Sequence, residues 1–192
     1  MITEASPGKR TERASQGFLS RFLQDRKGST AIEFVALAIP FSLLVFAILE
    51  SCISFAAQQV MANATDDIAR QLRTGQIKAA DLTLNRDRVR DEICERLEFM
   101  VAEGCPGLEV DLREFASFAD AAREKIKLTA DGGIDTTGFD VKPGKSMTKN
   151  MLRVFYPWPV MTDLMRKSMS NLKDGKTLLF ATVTWQNEPF DD

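Results

Sequence analysis

An uncharged apolar run from Phe34 to Leu49, entered through the small residues Gly28-Ser29-Thr30-Ala31 and a single acid at Glu33, constrains this chain more than any other feature. Phe, Leu, Ile, Val and Ala dominate the run. With Ile32 and its flanks it approaches the roughly 20 residues that an α-helix needs to span a bilayer. Glu33 lies just inside it. A carboxylate costs about 2.5 to 3.5 kcal/mol at the bilayer centre and less near the interface, so a partner or a function is implied. The plainer alternative is a boundary acid whose side chain reaches back to the headgroups.

The flanking charges orient the segment. Met1 to Gly28 carries Lys9, Arg10, Arg13, Arg21, Arg26 and Lys27 against Glu4, Glu12 and Asp25. That basic excess is expected to hold the leader in the cytoplasm. Residues 29 to 192 then hold 19 basic and 24 acidic side chains and are expected on the far side. Clustered Lys and Arg of the kind that contact phosphates are missing from the sequence, which argues against a nucleic-acid surface.

Two export signals compete for the same stretch. A secretory signal ending at Ala62-Asn63-Ala64 fails on spacing, because its apolar region should run about 7 to 15 residues and end near the cleavage site. A lipoprotein signal at Leu49-Glu50-Ser51-Cys52 has suitable Leu and Ser residues, but Glu50 beside the cleavage point is unsuited to it. Without lipid attachment Cys52 reads as a small apolar residue in a helix. The helix itself is expected to continue past the apolar run. Val60, Ala64, Ile68 and Leu72 recur every four residues with Ala57 and Met61 beside them, and Gly75 is a stop signal. From about Thr30 to Thr74 the helix would measure roughly 67 Å at 1.5 Å per residue. Pro40 should kink it.

The stretch Arg26-Lys27-Gly28-Ser29-Thr30-Ala31-Ile32-Glu33-Phe34, followed by Pro40 and Phe46-Ala47-Ile48-Leu49-Glu50, resembles the TadE-like minor pilins, or pseudopilins, of the tight-adherence (Tad, Flp-type) branch of type IV pilus systems. The resemblance implies that a prepilin peptidase cuts after Gly28, making Ser29 the new N-terminus and Glu33 the fifth residue of the mature chain. It further implies that Glu33, with Phe34 beside it, serves assembly, the acid neutralising the terminal amine of a neighbouring subunit. Such a pair gains strength as water is excluded. The implied partners are the prepilin peptidase, the major pilin, other minor pilins, the inner-membrane assembly platform and the lipid bilayer. The likeness covers about 45 of 192 residues. A second one lies at Phe180 to Phe190, where Asn187-Glu188-Pro189-Phe190 resembles the Asn-Glu-Pro-aromatic tail of TadE-like proteins. Small major prepilins of these systems typically carry Glu-Tyr where this chain has Glu33-Phe34, and their outer domain is far smaller. The resemblance is therefore to a minor component.

The segment from about Gln76 to Asp192 is long enough for one core of ordinary size. Asn85 reads as a cap for a helix carrying Val89, Ile93, Leu97, Met100 and Val101 on one face, closed by Gly104 and Pro106. Cys94 falls in that helix and Cys105 just beyond it. In an oxidising compartment the two read as a disulfide, and the absence of His and of a Cys-x-x-Cys pair argues against a metal site or cofactor there. Leu108, Val110 and Leu112 alternate with Glu109, Asp111 and Arg113, a strand pattern that puts the charges on a polar side. Ile126, Leu128 and Ala130 suggest a second strand, Met151 to Trp158 a third and Thr177 to Trp185 a fourth. Phe115 to Ala119 is ambiguous, Gly132 to Gly144 reads as a loop, and Val160 to Leu172 as an amphipathic helix.

The expected architecture is α+β: a long N-terminal transmembrane helix, then a small antiparallel sheet domain backed by helices. The expected divisions are a basic leader at 1–28, the long helix at 29–75 with its membrane half at about 31–52, and a periplasmic domain at 76–192. An enzymatic constellation is not identifiable, since acid-base work would fall to carboxylates, Lys or Tyr156, the only tyrosine. Gly144-Lys145-Ser146 imitates the end of a phosphate loop, but the first glycine of that pattern would have to stand at Phe139. Tyr156, Trp158 and Trp185 are read as sheet core in preference to an exposed recognition patch. Two functions follow: a processed, membrane-held minor pilin of the inner membrane, or an uncleaved membrane-anchored scaffold or binding module of the same machinery.

Overall fold

The computed structural model describes residues 29–84 and 87–191. The basic leader, Gly28 and the Asn85 cap lie outside these residues. Helix α1 spans Ser29–Arg73 and continues through Pro40. The chain divides into two compact units at Val45 and Phe46, and each is described by itself.

In the first unit the helix exposes Ile32, Phe34, Val35, Leu37, Ile39, Phe41, Leu43 and Leu44. Its 18-residue window of mean hydropathy 2.5 has none of its residues buried, and it is long and apolar enough to cross a membrane once. A helix that is apolar on every side needs apolar surroundings, because water cannot be kept from any of its faces by a single neighbour.

In the second unit the same helix becomes one-sided. Ala57, Met61, Ala64, Ile68 and Leu72 are buried at three- and four-residue spacing, while Val60 flanks them half-buried. Ser54 and Thr65 are buried on the same stripe, and each is satisfied by donating to its own helix, to the carbonyls of Ser51 (3.0 Å) and Met61 (2.7 Å). Burying Met61, Ile68 and Leu72 stabilises the unit by roughly 1.5 to 3 kcal/mol each. The helix stops where the sequence predicts. Gly75 takes φ 73°, and the amide of Gln76 donates to the Gln71 carbonyl at 2.9 Å.

Two short helices follow, α2 (Ala79–Leu84) and α3 (Arg88–Leu97), then strand β1 (Glu109–Phe115), α4 (Phe118–Arg123), β2 (Val141–Lys142), β3 (Lys149–Pro159), α5 (Asp163–Met169), a 3-10 turn at Lys173–Gly175 and β4 (Lys176–Gln186). Among the described residues the sheet has the order β2-β1-β3-β4. β3 pairs antiparallel with both β1 and β4, and the two-residue β2 adds a parallel edge beside β1. The result is the α+β architecture of a long apolar helix followed by a small sheet with helices, the sheet being mixed through that one edge. Leu112, Leu152 and Val183 lie abreast across it, as do Val110, Val154 and Ala181, and this face joins the α1 stripe and Val89, Ile93 and Leu97 of α3 in one core.

Four expectations of individual elements change, the first being that Val141–Lys142, inside the stretch read as a loop, forms the β2 edge on β1. Ile126 to Ala130 is not a sheet strand: Leu128 makes an isolated bridge to Ile134, because the turn at Asp131-Gly132-Gly133 folds the segment onto itself. Helix α3 ends at Leu97, and Met100 and Val101 reach the core from the turn after it. The helix expected over Val160 to Leu172 shrinks to seven residues, with Met161 outside it and exposed.

Cys94 and Cys105 form a disulfide across eleven positions with Cα atoms 5.7 Å apart, tying the end of α3 to the approach of β1. Replacing either with Ser is expected to lower the stability of the second unit by about 3 kcal/mol, on the loop-entropy account. Limited proteolysis of the full chain with and without reductant checks this, and equal resistance in the two buffers would count against it.

Candidate functional site

The residues singled out at the N-terminal end of α1 occupy the exposed apolar stretch. Ser29 is the first residue of the helix as described, and Glu33 follows one turn in, exposed, with Phe34 exposed beside it. Helix geometry alone positions them. The first turn carries no acidic residue, so the run presents Glu33 as its one anionic group up to Glu50. Cys94 and Cys105 meet in the second unit as a structural bridge.

Glu50, which the sequence offers only beside a possible lipoprotein site and within the TadE-like stretch, has a structural role that sequence reasoning does not find. Its carboxylate accepts from the amides of Met161 and Thr162 and from the Thr162 hydroxyl, and thereby caps the N-terminus of α5 from a neighbouring element. At the other end of α5, the Ser51 hydroxyl lies 3.7 Å from the Met169 sulfur. Glu50 thus fastens the N-terminal end of α5 to α1, while Ser51, whose hydroxyl donates to the Ala47 carbonyl at 2.9 Å, only adjoins the other end. The donors lie more than a hundred positions downstream, which no local spacing could signal; the carboxylate directly after an apolar run was the only hint.

The far end of α1 is held by the Asn187-Glu188-Pro189-Phe190 tail. Asn187 is buried, accepts from the Trp185 indole at 2.7 Å and donates to the carbonyls of Gly144 (3.0 Å) and Lys145 (2.9 Å). The Glu188 amide donates to the Arg73 carbonyl at 2.9 Å, and the two side chains pair at 3.2 Å. Phe190 sits over Gly75, where a Cβ would come within 2.7 Å of its ring. Glu188 and Phe190 therefore close the last turn of the helix, and Asn187 anchors them to the turn before β3. The same contacts explain Gly144-Lys145-Ser146. It is a turn leading into β3, pinned by Asn187, with the Ser146 hydroxyl accepting from the Phe190 amide at 3.2 Å.

The polar side of β1 is covered. Asp111 stands directly opposite Arg153 of β3 and both are buried. Arg153 donates to one Asp111 oxygen through Nε (3.0 Å) and Nη2 (2.6 Å), and Arg113 bridges Asp111 to Glu124 at 3.0 Å on each side. Phe139 and Phe155 stack at 5.4 Å, and the Arg153 guanidinium lies over both rings. The hydrogen bond from Arg113, stronger than the opposing desolvation, holds the Glu124 carboxyl below its usual range. These charges satisfy one another, which makes the cluster a structural device. Tyr156, Trp158 and Trp185 are buried and belong to the core, as expected of sheet aromatics.

With this geometry in view, residues 28–70 match the family model described as TadE-like protein. The helical segment is TadE-like. The matched stretch begins at the expected junction and stops three residues before the end of α1, so it covers the segment bearing Glu33 and Glu50 and leaves the sheet outside. No curated protein and no solved structure matches the chain. A TadE-like segment suggests a Tad pilus-associated protein, and the one membrane-length apolar helix among the described residues fits a single-pass membrane anchor.

Proposed function

We propose that this chain is a minor pilin, or pseudopilin, that takes part in assembling or priming a Tad-type adhesive pilus after a prepilin peptidase cuts it following Gly28. It waits in the inner membrane with its N-terminus in the cytoplasm and its sheet domain in the periplasm. The observation that carries the reading is the division of labour along α1: an apolar stretch exposed on all sides and bearing Glu33, continued by a stripe that is the core of the second unit. A helix built this way leaves its first half available to lipid before assembly and to neighbouring helices after it. Ser29 would supply the free amine and Glu33 the acid that pairs with the amine of the next subunit, with Phe34 packing beside them.

Intact mass and N-terminal sequence of protein recovered from membranes with and without the prepilin peptidase test this. A start at Ser29 only when the peptidase is present is the expected result, and Gly28→Ala should remove it. An uncut chain in both strains would favour a permanently anchored periplasmic scaffold. A lipid-modified start at Cys52 would overturn the single-span assignment.

A further inference from the structure

We propose that the second unit makes its own contact with the bilayer surface, through Met161, just past the end of β3, and helix α5, at the level where α1 leaves the hydrocarbon. The inference rests on the membrane-held reading above. Counting along α1 from Thr30, twenty residues at 1.5 Å each reach Leu49 and cover about 30 Å, the thickness of the hydrocarbon core. Glu50 therefore stands at the boundary, and its hydrogen bonds bring Met161 and Thr162 to the same level. The other end of α5 meets Ser51, one residue further along. Both ends of α5 thus come to α1 at adjacent residues just past this boundary.

The side chains at this level suit lipid. Phe46, Leu49, Ile53, Trp158, Pro159 and Met161 line an open apolar groove of about 240 Å³. Met161 is 78% exposed and Phe46 59%. A second groove, which includes Met100 and Val101, shares Trp158 and Met161 with the first. Exposed apolar side chains at the end of a membrane span suit the bilayer interface, with Trp158 beside them in the core. A basic group falls in the right place as well. On α5 Arg166 pairs with Asp163 at 3.0 Å, and Lys167 stands exposed beside it, a cation that favours anionic headgroups. Lipid is chosen over a second copy of the chain because the groove continues, on the same helix, from a run whose length and composition call for a bilayer.

The test uses the full chain with Cys52→Ser and Met161→Cys, labelled with an NBD dye and reconstituted in phosphatidylethanolamine and phosphatidylglycerol vesicles. Leu44→Cys and Thr182→Cys in the same background are the references for the span and for an exposed strand position. The expected result is a blue shift at position 161, loss of quenching by aqueous iodide, and quenching by doxyl groups placed near the headgroups. Position 182 should show none of these. Iodide quenching at 161 with lipid quenching at 44 would overturn the proposal and leave the membrane span standing, whereas iodide quenching at 44 would overturn both. A label at 161 shielded from iodide and from doxyl lipid alike would mean that protein covers the groove, and would equally overturn it. Exchange of phosphatidylglycerol for phosphatidylcholine should weaken the lipid quenching at 161; an unchanged signal would remove the part assigned to Lys167.

Discussion

Cells carrying Glu33→Ala are expected to hold the protein in their membranes at the wild-type level and to lose their surface pili. The two halves of that result have separate causes. Insertion is spared because removing the carboxylate only lightens the transfer of α1 into lipid, by up to about 2.5 to 3.5 kcal/mol. Assembly fails because, on the proposed reading, the amine at Ser29 of the adjoining subunit is left as an unpaired charge among apolar helices. Breaking a buried pair from one side costs about 3 to 5 kcal/mol. At 1.4 kcal/mol per decade this lowers an assembly equilibrium about a hundredfold or more. Glu33→Asp should keep partial assembly, since the charge survives on a shorter arm. Immunoblots of membranes and of sheared surface fractions read both halves, and wild-type piliation in the Glu33→Ala strain would remove the electrostatic role.

The second large effect is expected at Asp111 and Arg153. Asp111→Leu or Arg153→Met should each destabilise the second unit by about 3 to 5 kcal/mol, because each leaves its partner's charge buried. Against a typical domain stability of about 5 to 15 kcal/mol, that is enough to unfold a marginal domain. The double substitution Asp111→Leu with Arg153→Met should recover part of the loss, since well-packed apolar side chains can replace a buried pair. Urea unfolding of the full chain in detergent measures the cycle. Single variants within about 0.5 kcal/mol of wild type, the range of an ordinary surface change, would show the cluster to be idle. Acid acts on the same group of charges. Because Glu124 titrates below an unfolded carboxylate, its contribution is complete above the unfolded value and disappears as pH falls through the folded one. The gap between wild type and Glu124→Gln should therefore close on acidification.

Much of this was legible in the chain because local rules act strongly there. Sixteen uncharged residues from Phe34 to Leu49 announce a membrane-length helix, Gly75 ends it, and the stripe through Ala64 and Leu72 turns out to be core. Cys94 and Cys105 needed only proximity in sequence. β3 and β4 were close to their predicted bounds, because β-branched and aromatic residues fill both. The rest depends on partners distant in sequence. Alternation assigned Asp111 to the polar side of β1 correctly, but it cannot say whether that side meets water, and Arg153 lies 42 positions away. β2 has two residues and exists only because β1 offers an unpaired edge. Glu50 was weighed against a lipoprotein signal, while its actual donors stand at Met161 and Thr162. Leu128 had strand alternation and found no strand to join.

The tail at Asn187 to Phe190 gives the end of α1 an unusual dependence on time. A chain synthesised from its N-terminus delivers Arg73 and Gly75 long before the residues that close over them. Until Glu188 arrives, the last turn of the helix keeps an open carbonyl, and Gly75 lacks the ring that covers it. Contacts between segments this far apart are made late and slow folding. The second unit is thus sealed by residues made well after the helix they close, so that a product stalled short of Asn187 is expected to stay frayed at the end of α1 and open to proteases.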